Sequence, residues 1–235
     1  MDGNGRWAQA RGYPRVFGHI RGATRVRPIV READSLGIKA LTLYAFSTEN
    51  WLRSESELSI LWKLLKKYFQ KELNELKQKN IRLNIIGELE RLPLAIQETV
   101  NPMLNELAGN TGLQFNLAIS YGSRREISQA ASYFAKDCLT GIHQPLDMNE
   151  ELFQKYLTTN KLKELSDVDL VIRTSGEKRV SNFLLWQSAY AEYVFTDTYW
   201  PDYTPKHFRE ALFEYSQRER RYGKVKVYNN ELNTL

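Results

Sequence analysis

Five short apolar runs, separated by stretches of helical periodicity, constrain the fold of this chain more than any other feature. IKALTLYAF (residues 38–46), IRLNIIG (81–87), LQFNLAISY (113–121), DLVIRTS (169–175) and YVFTD (193–197) are rich in β-formers and read as buried strands. Helical patterns fall between and around them, at about residues 19–35, 56–79, 92–108, 124–138, 149–158 and 206–222. Strands that alternate with helices predict an α/β fold, a mostly parallel central sheet flanked by helices. There is no low-complexity linker, internal repeat or composition shift, so residues 1–235 are expected to form a single domain. In such sheets ligands gather at the carboxyl ends of strands. Three of the runs end in polar stretches, STENW, SYGSRR and RTSGEKRVSN, which places the expected functional face there.

Pro28 and Pro102 fall inside helical patterns, and a kink is expected at Pro28. The helix at 56–79 is amphipathic in its later half, whereas Leu58, Ile60, Leu61, Trp62, Leu64 and Leu65 make its earlier half apolar almost all round. Such a helix must be enclosed, either as a core or subunit-interface helix or as one wall of an apolar tunnel.

Hydrophobic content of 42% belongs to a globular protein. The net charge of +5 suits an anionic partner without choosing among nucleic acid, phosphate esters and an acidic membrane surface. Cys138 is the sole cysteine, which excludes an intrachain disulfide or a zinc cluster and suits a reducing cytosol. No apolar run approaches the roughly 20 residues that span a bilayer, so a cytoplasmic protein, at most peripherally attached to membrane, is expected.

Three histidines, one cysteine and no nucleophile-elbow pattern argue against a hydrolytic triad. Neither a P-loop nor a dinucleotide fingerprint is present. Arginine beside small polar residues recurs instead. Arg6, Arg15 and Arg21 surround His19, and Arg173 and Arg179 accompany Ser175 and Ser181. The arginine fork matches phosphate oxygens, so the set points to a ligand with more than one phosphate, although any one of them could as well be a solvated salt bridge. Carboxylates are scarce in the sequence near these arginines; Asp2 is the metal candidate, because Mg²⁺ is often held by one or two carboxylates plus substrate phosphates. Glu192, acidic in the apolar stretch AYAEYVF, must be paired with an arginine or positioned for a ligand. Nucleic acid is the competing anion, but the basic groups lie at separate strand ends and no nucleic-acid motif is present. The opening MDGNGRW spaces Asp2, Asn4 and Arg6 with Gly3 and Gly5, so that backbone amides and an arginine can meet an anion.

With MDGNGRWA, FGH at 17–19, LTLYAFSTENW at 41–51, IRTSGEKRVSNFLLWQSAYAE at 172–192, WPD at 200–202 and RERRYG at 218–223, the chain resembles the cis-prenyltransferases, above all the bacterial undecaprenyl diphosphate synthases. The motifs span nearly the whole chain in family order. The resemblance implies a homodimer with an apolar tunnel that condenses isopentenyl diphosphate onto an allylic diphosphate such as farnesyl diphosphate, with Mg²⁺, to an undecaprenyl-length product. It implies that Asp2 serves metal and leaving group, and that Gly3, Asn4, Gly5, Arg6, Trp7, Arg15 and His19 form the allylic diphosphate side. Arg173, Arg179 and Ser181 would grip isopentenyl diphosphate, with Glu192 near its metal. Ser47, Asn50, Trp51 and Arg53 would order a loop over the reacting carbons, with Asn50 aiding proton removal. Arg221 and Gly223 would reach the neighbouring subunit's site.

The sequence departs from the family pattern twice. An apolar strand usually stands ahead of MDGNGRW; without it in this sequence, Asp2 is expected at a free terminus beside an α-ammonium group, open to disorder. Lys178 occupies a position where some relatives place a histidine near the metal. A non-catalytic partner subunit that keeps the fold is the main rival expectation, and a nucleic-acid-binding protein a remote one.

Overall fold

The computed structural model describes residues 1–219. Helices α1 (Asn4–Gln9) and α2 (Arg15–Ser35) precede β1 (Ala40–Ser47). Then α3 (Glu55–Gln78) leads to β2 (Arg82–Ile86), and α4 (Leu94–Leu107) to β3 (Gln114–Tyr121). After α5 (Ser123–Leu139) and α6 (Glu150–Lys155) come β4 (Leu170–Arg173), β5 (Glu192–Phe195) and α7 (Pro205–Ser216). All five expected strands are present.

Every strand pairing is parallel, but the strands divide between two sheets, β1-β3-β2 and β4-β5, instead of forming one. The central strand β3 is buried along nearly its whole length, with Phe115, Leu117 and Ile119 in the main core. Its one polar rung is satisfied in register: Asn84 donates to Asn116 at 2.9 Å and Asn116 donates to Thr42 at 3.1 Å. Unlike β3, β1 and β4 each have a single ladder partner among the described residues, and residues of both border one cavity of about 980 Å³. Ile29, Leu61, Trp200, Phe208 and Leu212 contribute to its apolar wall.

Local chemistry sets the helices. Ser54 caps α3 by accepting from the Glu57 amide, and Asn149 caps α6 by accepting from the Leu152 amide. α2 runs as one element through Pro28, where a kink was expected. Bidentate pairs from Arg27 to Glu72 and from Arg31 to Glu75 clamp it to α3 on both sides of the proline. Within one chain the earlier half of α3 is only partly covered. Leu58, Leu61, Trp62 and Leu65 are only partly buried, Leu61 on the cavity and Leu58 with Trp62 on a shallow groove against α4. No helix among the described residues is long and apolar enough to cross a membrane.

Candidate active site

The opening segment turns at Gly3 into the short helix α1. Gly3 stands ahead of α1 with φ 91°, and a Cβ there would meet the Tyr199 ring at 2.4 Å and Ser175 at 2.7 Å. Gly18 lets α2 approach α1, since a Cβ there would lie 1.8 Å from the Asn4 carbonyl oxygen. The glycines therefore serve close packing of this segment against α2 and the 174–175 turn.

Asp2 is held through both its backbone and its side chain. Its amide donates to Thr174 Oγ1 at 3.0 Å, and its carbonyl accepts from the Trp200 amide at 3.0 Å. One carboxylate oxygen accepts from the Gly3 amide at 2.7 Å and the other from Arg173 at 3.0 Å. Burial works to raise this carboxyl's pKa, but Arg173, the Gly3 amide and the adjoining ammonium outweigh it and hold it below the usual range. Burial drives the Met1 ammonium down to about 6.

Around this carboxylate the arginines converge. Arg173 also donates to Ser181 Oγ at 2.7 Å and to the Arg179 carbonyl. Arg6 lies 3.7 Å from Asp2, donates to Ser175 Oγ at 2.8 Å and pairs with Glu177 at 2.8 Å. Arg179 pairs with the other Glu177 oxygen. Carboxylates are thus not scarce here once the chain folds; Glu177, which sequence reasoning passed over, bridges two of the arginines. Ser175, Ser181 and Asn182 hold φ of 71°, 52° and 59°, each a strained value for a side-chain-bearing residue. The Asn182 carbonyl and side chain offset this by accepting from the Ser123 and Arg124 amides, both at 2.8 Å.

On the opposite wall, His19 meets Glu57 at 3.2 Å, and Arg53 donates to the same Glu57 oxygen at 3.0 Å. Burial first, and then the Arg53 charge, lower the His19 pKa against the opposing pull of Glu57, a shift that favours the neutral ring. Glu57 was also unread; its signal was its place three residues after the cap Ser54. Asn50 accepts from the Ser47 amide at 3.2 Å, which closes the turn 48–52 over the cavity.

Asp2, Asn4, His19, Ser47, Asn50, Arg53, Arg173, Arg179 and Ser181 are brought together on the one cavity, and Arg6 is tied to it through Asp2. Other expected residues are not among its lining. Arg15 packs its guanidinium over Gly5 and donates to Gln9 at 3.2 Å. Trp7 lies under the Arg11 guanidinium at 4.5 Å. Trp51 donates to Ser120 at 3.0 Å and packs on Phe46 and Trp62. Glu192 takes the first of its two expected roles and pairs with Arg218 at 2.8 Å. Arg218 itself lies two residues beyond the end of α7. Arg221 and Gly223 lie outside the described residues. No group of three or more His, Cys, Asp or Glu side chains is gathered to hold a metal among the described residues.

Residues 1–223 match the family described as putative undecaprenyl diphosphate synthase. The chain belongs to this prenyltransferase family. It is 49% identical to the isoprenyl transferase of Geobacillus kaustophilus, over 96% of this chain and 86% of that one. With the isoprenyl transferase of Geobacter sulfurreducens it shares 46% identity, over 98% and 92%. Among solved structures, a lavandulyl diphosphate synthase from Lavandula x intermedia in complex with dimethylallyl diphosphate superposes with a TM-score of 0.93 at 35% identity, covering 95% of each chain. A probable undecaprenyl diphosphate synthase from Campylobacter jejuni gives 0.74 at 35% identity, covering 87% of this chain and 92% of that one. The expected family and parallel α/β fold are therefore borne out.

Proposed function

We propose that this prenyltransferase condenses isopentenyl diphosphate onto an allylic diphosphate, with farnesyl diphosphate as primer, and repeats the step with cis geometry to an undecaprenyl-length diphosphate, a lipid carrier for cell-wall synthesis. The observation that supports this reading most is Asp2, with Arg173 and Arg6 beside it, bordering a cavity that apolar side chains such as Ile29, Leu61, Trp200, Phe208 and Leu212 also line. A diphosphate ester with a hydrocarbon tail has this polarity.

In the proposed step the allylic C1–O bond breaks and its electron pair leaves with diphosphate. The double bond of isopentenyl diphosphate attacks C1, and loss of a C2 proton forms the new double bond. Asn4, Arg6, His19 and the amides of residues 4–6 hold the allylic diphosphate as it departs. Donors fixed before reaction stabilise such developing charge at little reorganisation cost. Arg173, Arg179 and Ser181 hold isopentenyl diphosphate, and Asn50 directs the departing proton. Mg²⁺ fits the donor set because Asp2 is held anionic; Asp2 would hold the ion, with Glu192 joining only by releasing Arg218. When bound, Mg²⁺ supplies positive charge to the leaving diphosphate. The working unit is a homodimer in the cytoplasm, with Arg221 and Gly223 completing the partner's site and the product reaching a membrane.

The test is incorporation of labelled isopentenyl diphosphate onto farnesyl diphosphate, with and without Mg²⁺, and chromatography of products by chain length. Long labelled product that requires Mg²⁺ is expected. Short product would favour a reading closer to the lavandulyl diphosphate synthase likeness. No product from a folded chain would indicate a non-catalytic subunit.

A further inference from the structure

Around the start of α2 three large apolar side chains stand in solvent, Tyr13 just ahead of the helix and Phe17 and Ile20 within it. Tyr13 is 51% exposed, Phe17 50% and Ile20 43%, and the Tyr13 and Phe17 rings stack with centroids 5.5 Å apart. None of them lines the cavity. The stripe is edged by basic groups: Arg15 and Arg21 are both exposed, and neither forms an ion pair with a carboxylate among the described residues. Arg21 and Arg25 are close enough for their charges to interact. Leu52, 91% exposed, ends the 48–52 turn beside Arg53, whose Glu57 partner is shared with His19, the residue before Ile20. An aromatic and aliphatic stripe with uncompensated arginines at its margins has the make-up of an interfacial surface, apolar groups entering the headgroup boundary and cations meeting anionic lipid.

We propose that Tyr13, Phe17 and Ile20, with Arg15 and Arg21, form a docking face for an anionic bilayer surface, set beside the His19 wall of the active site. The occupant is a lipid surface because the stripe joins exposed apolar groups to excess positive charge on a chain of net charge +5. The inference rests on the proposed lipid product only for its purpose; binding of vesicles does not depend on turnover. A face of this kind would let a polyprenyl tail pass into the bilayer without crossing water.

The experiment is co-sedimentation of the full chain with phosphatidylglycerol–phosphatidylcholine vesicles and with pure phosphatidylcholine vesicles, alongside size-exclusion chromatography. The parent is expected to bind anionic vesicles, more weakly as salt rises, and to bind neutral vesicles at least tenfold less. Phe17→Ser with Ile20→Ser should weaken binding at least tenfold, while melting temperature, oligomeric state and turnover in detergent stay unchanged. Arg21→Gln, an exposed surface change, should weaken it roughly fivefold, as expected of one basic group at an anionic leaflet. Parent-like binding by these variants would overturn the proposal. A changed oligomeric state in the Phe17→Ser, Ile20→Ser protein would also overturn it, because the stripe would then cover a subunit contact. Absent condensation activity with intact vesicle binding would count against the catalytic reading alone.

Discussion

The two sheets of this molecule differ in what holds them. β3 is buried nearly throughout and packs on both faces, so the three-stranded sheet is fixed by apolar contact and one amide ladder. β4 is half-buried at all four of its positions, and the loop after it is fixed by ion pairs and strained turns. The three-stranded sheet is held chiefly by apolar packing and meets the cavity along β1, ending at Ser47, whereas the second sheet leads into a loop of ion-paired polar groups.

The largest expected effect breaks the apolar side of this contrast. Phe115→Ala should cost about 3–5 kcal/mol by leaving a cavity in the core, whereas Val171→Ala on β4 should cost about 1 kcal/mol; urea denaturation of both variants measures the gap. Asp2→Ala tests the other side. It should lower kcat by roughly 10²–10³-fold, the scale seen when one preorganised charge-stabilising group is lost, with little loss of folding free energy by urea denaturation.

The buried terminus gives a pH signature. The Met1 ammonium has a folded pKa of about 6, below its unfolded value of 8.0, so the unfolded chain binds its proton more tightly. The penalty is fully present below pH 6, fades between pH 6 and 8 and is absent above, so this group should make stability rise across that window by on the order of 2 kcal/mol. Denaturation midpoints at pH 5.5, 7 and 8.5 measure it. Within the three-stranded sheet the smaller effect belongs to the amide ladder: Asn84→Ala should cost about 1–2 kcal/mol, since it leaves the buried Asn116 oxygen unpaired.

The scaffold was legible because buried parallel strands announce themselves locally, as β3 does in LQFNLAISY. Its division into two sheets was not, since pairing joins residues as distant as Ala40 and Gln114. The six-residue α1 was invisible because its glycines predict a loop and only tertiary contacts with α2, Ser175 and Tyr199 impose a helix. For the site, the arginines and Asp2 were readable by type and motif. Glu57 and Glu177 were not, because a carboxylate acquires meaning only when folding sets it between Arg53 and His19, or between Arg6 and Arg179. Trp51 shows the reverse: motif assigns it to the site, and packing gives it to the core edge.

The claim that Arg173 and Ser181 hold one diphosphate while Arg6 and its neighbours hold the other is tested most directly by steady-state kinetics of Arg173→Ala with each substrate varied in turn. The predicted result is a rise of about tenfold or more in KM for isopentenyl diphosphate, from loss of a charged hydrogen-bonding partner, with KM for farnesyl diphosphate changed by less than about threefold. An equal rise for both substrates, or no rise for isopentenyl diphosphate, would contradict the two-sided site.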